Sequence, residues 1–219
     1  MFNNLVTYHI HQQDPLTPNN ALAYEYILAG NGVFIRAETR FFEACIPVMP
    51  CRVRGLAMLK PYFLLKVPHI PAKLLVTILT DACRERWADG GLNEAFYQFH
   101  HQGKTVQVKK PDQRVTEISV LAPGSREDDI ICDLHTHGNM PAFWSATDDK
   151  DEQGYQLYAV VGKLDTVPEI RLRLGLFGYW LALPVTAVFT SRSLFKDLYL
   201  ARRNHMTTIT FEAWMQHVD

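Results

Sequence analysis

The chain has 219 residues, with 22 basic and 23 acidic side chains and a formal net charge of −1. Hydrophobic residues make up 47% and charged residues 21%, which suffices for a packed core and excludes a wholly disordered chain. A charge so close to zero lacks the electrostatic footprint of a general nucleic-acid binder, so nucleic acid is not expected as a partner.

Residues 1–66 read as a β-rich N-terminal region. Met1 to Asn4 carries no basic run followed by an apolar segment, so no export signal is expected there. His9 and His11 form a His-x-His pair, read as lying on a solvated strand face. Segments 24–28 and 33–37 are strand-like, and Gly30-Asn31-Gly32 between them accepts positive φ, which predicts a hairpin. Pro47, Pro50, Pro61 and Pro68 then suit short edge strands and turns. Phe41, Phe42, Tyr62 and Phe63 are read as core residues.

Residues 67–219 are assigned to a second domain. A helix is predicted over 71–88, with Pro71 at its first position, an apolar face of Leu74, Leu75, Ile78, Leu79 and Ala82, and Gly90-Gly91 as the stop. Strands are predicted over 94–100, 105–109, 116–121, 130–137, 155–161, 170–177 and 185–190. Ser145 begins a short helix as its N-cap, with Asp148 and Asp149 in the first turn. Helices are expected over 194–203 and 211–217. The uncharged stretch 174–189 holds Gly175, Gly178 and Pro184 and is shorter than the ~20 residues that span a bilayer. It is read as two buried strands, and no membrane is expected. The order of elements gives an α+β fold with a mixed sheet. Cys45, Cys51, Cys83 and Cys132 are read as reduced thiols of a cytoplasmic protein, and nothing in the pattern supports a Cys45–Cys51 disulfide.

The chemistry concentrates between Cys132 and Asp148. Strand side chains alternate, so His135 and His137 share one face and can reach a single metal ion. A carboxylate from the next element would complete three protein ligands and leave a fourth position open, the layout of a catalytic rather than a structural zinc site. A carboxylate fixed on the capped helix start, such as Asp148, is well held to meet a metal, and Asp149 and Asp151 are alternatives. Asp133 has the same strand phase as both histidines and is either a supporting residue of the site or an ordinary polar strand residue.

His135-x-His137, seven residues, then Ser145-x-x-Asp148 resembles the JAMM signature of the MPN/JAB metalloprotease superfamily at both histidines, the serine, the aspartate and every spacing. The resemblance covers about residues 66–190. A narrower resemblance is to the JAB-like A proteins of PRTRC systems, from bacterial mobile elements that also carry ubiquitin-like, E1-like and E2-like proteins. One departure is clear: family members mostly read His-x-His-Pro, whereas Gly138 follows His137 here and Pro141 comes three residues later.

The resemblance implies an MPN/JAB-like mixed sheet flanked by helices and a zinc-dependent isopeptidase or peptidase acting on a ubiquitin-like protein or its conjugates. It implies one Zn²⁺ per chain, held by His135, His137 and Asp148. Glu94 would act as general base and acid, and Ser145 would hydrogen-bond the oxyanion. Glu85 and Glu117 are the fallbacks for Glu94. E1-like and E2-like proteins would be the wider partners. The rival from another class is a catalytically silent MPN scaffold that binds proteins of the same system. Asp133 to Gly138 also resembles the first-strand motif of metal-dependent amidohydrolase and phosphoesterase barrels. The chain after His137 is too short for such a barrel, which takes ~200 residues or more, and His205 and His217 are the only later histidines. A zinc deaminase would need a Pro-Cys-x-x-Cys that is absent.

Overall fold

The computed structural model describes residues 4–84, 92–112, 114–115, 120–121 and 128–190. The chain divides into two compact units, Met1–Pro68 and His69–Asp219. Both are built on mixed sheets, so the protein is of mixed α and β structure, with few helices among the described residues.

The first unit is a five-stranded sheet in chain order: β1 (Val6–Ile10), β2 (Tyr24–Ala29), β3 (Gly32–Glu38), β4 (Phe42–Pro50) and β5 (Tyr62–Leu65). β1 runs parallel to β2 and the remaining pairs are antiparallel. One apolar cluster joins Ile27, Ala29, Phe34, Cys45 and Leu59, with Leu16 and Tyr62 packed against it. Arg36 and Glu25, facing each other across β3 and β2, are buried and lie 2.5 Å apart. Arg36 Nη2 also donates to the Thr17 carbonyl.

Several expectations for this region change. The β2–β3 hairpin forms, but not because Asn31 takes a left-handed conformation. Its side chain instead donates to the Leu59 carbonyl and accepts from the Leu59 N–H, clamping the turn to a distant loop. Gly30 is required by contact, since a Cβ there would lie 2.5 Å from the Leu56 carbonyl oxygen. β4 is long and lies inside the sheet rather than at an edge. It tolerates proline because β5 pairs only with Phe42–Cys45, which leaves Pro47 and Pro50 on a free stretch beside a register shift. Phe41 and Phe42 are buried, whereas Tyr62 and Phe63 are half-buried. His11 is not solvated: it is fully buried just beyond β1, 3.2 Å from Asp14 Oδ1. All four cysteines are free.

The second unit opens with α1 (Lys73–Ala82), which buries Leu75, Ile78, Leu79 and Ala82. Ala72 is its N-cap, so Pro71 lies just outside the helix rather than at its first position. α1 ends at Ala82 with Cys83 as its C-cap, so it stops short of the predicted end at residue 88, and Gly90-Gly91, outside the described residues, is not its stop. The next strands are β6 (Phe96–Gln102), β7 (Thr105–Lys109), β8 (Arg114–Val115), β9 (Val120–Leu121) and β10 (Ile130–Thr136). The short α2 (Ala146–Asp151), β11 (Tyr155–Gly162), β12 (Glu169–Leu176) and β13 (Tyr179–Leu183) follow. Six strands form one sheet in the order β13-β12-β11-β10-β6-β7, in which only β10 and β11 are parallel. β8 and β9 form a separate pair; only β9 falls within the predicted 116–121 strand, whose residues 116–119 lie outside the described residues. Every residue of β11 is buried, as expected of a strand covered on both faces.

The stretch 174–189 holds one hairpin, not two buried strands. β12 turns through Phe177, at a left-handed φ of 49°, and Gly178 into β13, whose residues are half-buried or exposed. The predicted strand at 185–190 is a 3₁₀ turn (Val185–Ala187) with an isolated bridge at Phe189. Pro184 directs the chain into that turn, against the strand preference of the β-branched residues after it. Among the described residues, no helix is long and apolar enough to cross a membrane. The helices expected over 194–203 and 211–217 lie outside the described residues.

Candidate metal centre

The β10-to-β11 connection builds this centre. Because the two strands are parallel, the chain must leave the end of β10, cross over and return, and residues 137–154 are that crossing. Its first half is fixed by backbone pairing. His137 N–H donates to the Val161 carbonyl, Lys163 N–H to Met140 and Leu164 N–H to Gly138. Glu169 accepts from Ala142 N–H and pairs with Lys163. Gly138 takes a φ of +55°, and a Cβ on it would lie 2.5 Å from the Leu92 carbonyl oxygen. Proline, locked near −65°, cannot occupy that position, which accounts for the departure from His-x-His-Pro.

Alternation along β10 buries Cys132, Leu134 and Thr136 on one face and aims Asp133, His135 and His137 to the other. Ser145 caps α2 with its side-chain oxygen accepting from Asp148 N–H at 3.1 Å. Asp148 Oδ2 in turn accepts from Ser145 N–H at 2.5 Å, closing a capping box. The box leaves the other carboxylate oxygen, Oδ1, 3.5 Å from His135 Nε2. His135 Nε2 and His137 Nε2 are 3.0 Å apart. One donor atom from each of His135, His137 and Asp148 lies within 4.8 Å of the others.

The donor chemistry suits a divalent cation. His137 Nδ1 lies 3.3 Å from the Pro141 carbonyl, which can only accept, so Nδ1 carries the proton and Nε2 presents a lone pair to the centre. Burial holds the His135 imidazole down to about 4, with His137 and Arg173 pushing the same way and Asp148 opposing. Burial also lowers His137. Both rings are therefore neutral at pH 7, as ligation requires. Phe143 packs edge-on against His137 at 4.5 Å and Trp144 against His135 at 5.9 Å.

Glu94 lies in the approach to β6, two residues before the strand, and not within it as expected. The antiparallel register pairs His135 with Phe96, and Thr136 exchanges two bonds with Ala95. Glu94 is the residue before Ala95, just outside the paired register. Glu94 is buried, and burial together with the Asp148 carboxylate pushes it up to about 7. Asp133 accepts from Gln98 on β6. Asp149 is tied to Arg173 instead of facing the histidines, and Asp151 is exposed. Glu85 and Glu117 lie outside the described residues. The His9–His11 pair joins no comparable cluster among the described residues.

Residues 72–175 match the family of prokaryotic homologs of the JAB domain. This part of the chain belongs to the JAB/MPN superfamily. No curated protein matches the chain. The family includes metallo-isopeptidases and inactive members, so the match assigns the domain and not the activity. The matched stretch contains all of His135, His137, Ser145 and Asp148 as well as Glu94.

Sequence reasoning missed Arg173, Glu152 and Trp144 around the JAB centre. Arg173 is buried on β12, stacks 4.0 Å from the Trp144 ring centre and pairs with Glu152 and Asp149. Burial pushes Glu152 up to about 8 against the pull of Arg173, with Asp148 and Asp133 adding to the rise. The one available signal was a basic residue between Leu172 and Leu174, in the apolar second half of β12.

Proposed function

We propose that this JAB-domain protein is a zinc-dependent JAMM-type isopeptidase or peptidase that removes or processes a ubiquitin-like protein. The observation that carries the reading is the convergence of two neutral imidazoles and the Asp148 carboxylate beside a buried glutamate. His135, His137 and Asp148 would hold one zinc ion. When bound, zinc supplies Lewis acidity toward the scissile carbonyl and lowers the pKa of water. Glu94, raised toward neutrality, takes the proton of the attacking water and returns it to the leaving amine nitrogen. The Ser145 oxygen already accepts the Asp148 N–H, so its own hydrogen remains to be donated to the oxyanion. Conjugates of a ubiquitin-like protein are the proposed substrates, and a cytoplasmic conjugation system with E1-like and E2-like members, carried on a mobile element or serving antiphage defence, is the proposed setting.

The test is the metal content of protein purified without added metal, beside Asp148→Ala. About one zinc per chain, lost in the variant, supports the centre and justifies isopeptide substrates. No zinc in either protein, even after it is added back, overturns the enzyme reading in favour of a silent scaffold.

A further inference from the structure

α2 carries Asp148, yet none of its residues is buried. A six-residue helix with no apolar face has no hydrophobic anchor, so its position must come from polar contacts. Those contacts converge on Arg173. Its Nε donates to Glu152 Oε2 at 2.7 Å, at the C-terminal end of α2. Nη2 lies 2.5 Å from the same oxygen but off the hydrogen-bond axis, so Nε carries that bond. Nη1 donates to Asp149 Oδ1 at 2.7 Å, in the first turn. The guanidinium face covers the Trp144 ring at 4.0 Å, with the Trp180 ring 5.2 Å away. Trp144 immediately precedes the N-cap and packs edge-on against His135. One side chain, only 6% exposed, thus touches both ends of the helix that carries Asp148 and the ring that walls His135.

We infer that Arg173 is the positioning residue of the metal centre, holding α2 and Trp144 so that Asp148 and His135 meet one ion. The inference rests on the proposed zinc site. Its sign separates it from simple electrostatics. A guanidinium near a cation site repels the ion, so an arginine acting through charge alone would weaken binding, and its loss would tighten it. A positioning arginine does the reverse. Lysine keeps the charge but loses the planar fork and the stack, so it should not restore the wild-type centre.

The experiment titrates zinc into metal-free wild type, Arg173→Met and Arg173→Lys against a competing chelator, with thermal unfolding of each metal-free protein alongside. Both variants should bind zinc about 10–100-fold more weakly than wild type, the range for residues that orient metal ligands. Visible absorption of the cobalt-loaded proteins should change, because the coordination geometry changes. Zinc affinity and cobalt spectra like wild type, or tighter zinc binding by Arg173→Met, overturn the inference. So does a lowered melting temperature with unchanged affinity, which marks a merely structural role. If Arg173→Met does not fold, Arg173→Lys decides alone, since it keeps the charge and loses only the fork and the stack: a loss of zinc affinity of about 10–100-fold supports the inference and no loss overturns it. Failure of wild type to bind zinc would refute the proposed function itself; the variant comparison addresses Arg173 alone.

Discussion

Gly138→Ala asks whether the loop after His137 is set by backbone geometry. The native φ of +55° belongs to the left-handed region, which costs an L-residue about 1–2 kcal/mol. The new Cβ would lie 2.5 Å from Leu92 O, 3.2 Å from its carbonyl carbon and 3.3 Å from its Cβ. The closest of these is a backbone atom that no rotamer change can move. Relieving such overpacking adds about 1–3 kcal/mol, for a total of about 2–5 kcal/mol. Trp87, Trp144, Trp180 and Trp214 all lie beyond residue 68, so tryptophan fluorescence in a urea titration follows the JAB unit. The expected result is a lower midpoint with an unchanged slope. Gly138→Pro should be worse than alanine, because the ring forbids the native φ altogether. A destabilisation by Gly138→Ala below about 0.5 kcal/mol, the level of an ordinary surface change, would refute the geometric argument.

Three further outcomes follow from buried charge. Glu94→Gln should keep the metal but lose about 10²–10⁴ in turnover, since an amide cannot accept the proton; wild-type rates on a cleaved substrate would reject the assignment. In the metal-free protein, the Glu94 carboxyl sits at about 7 against an ordinary 4.5. Its stabilising contribution is therefore complete below pH 4.5 and is lost as pH rises through 7. Metal-free Glu94→Gln should gain up to about 3 kcal/mol on wild type between pH 5 and pH 8, and parallel pH profiles would count against it. Glu25→Leu strands the buried Arg36 charge and should cost about 3–5 kcal/mol, while Glu25→Leu with Arg36→Met should recover most of the loss. Equal stability of the single and double variants, measured by urea unfolding followed by circular dichroism, would show that the pair is not the source.

What the sequence disclosed about the centre was local. His135 and His137 share a strand face by period, and Ser145 with Asp148 forms a capping box over three residues. Both depend only on neighbours in the chain. Glu94 was placed on the right side of β6 but inside the strand, because the pattern from 94 onward does not mark where pairing with β10 ends. Arg173 was invisible in its role, since its partners lie on α2 and reach it only through the β11–β12 pairing. The same limit explains Pro47, whose tolerance depends on how far β5 extends. The stretch 185–190 is different in kind, since there a chain neighbour, Pro184, outweighs a β-branched run.

The centre therefore joins parts with unequal dependence on the fold. The three ligands span His135 to Asp148, a short loop closure fixed by backbone bonds to the end of β11. Glu94 comes from the approach to β6 and is held by the neighbouring Ala95, whose two bonds with Thr136 extend the β6–β10 pairing. A disturbance of β6 pairing can move the base without touching the ligands, whereas a disturbance of α2 moves a ligand without touching the base. Metal binding and turnover should thus be lost separately, along β10–α2 and along β6–β10. Loss of zinc alone cannot then locate the base, nor loss of activity alone the ion, so each must be measured in the same variant.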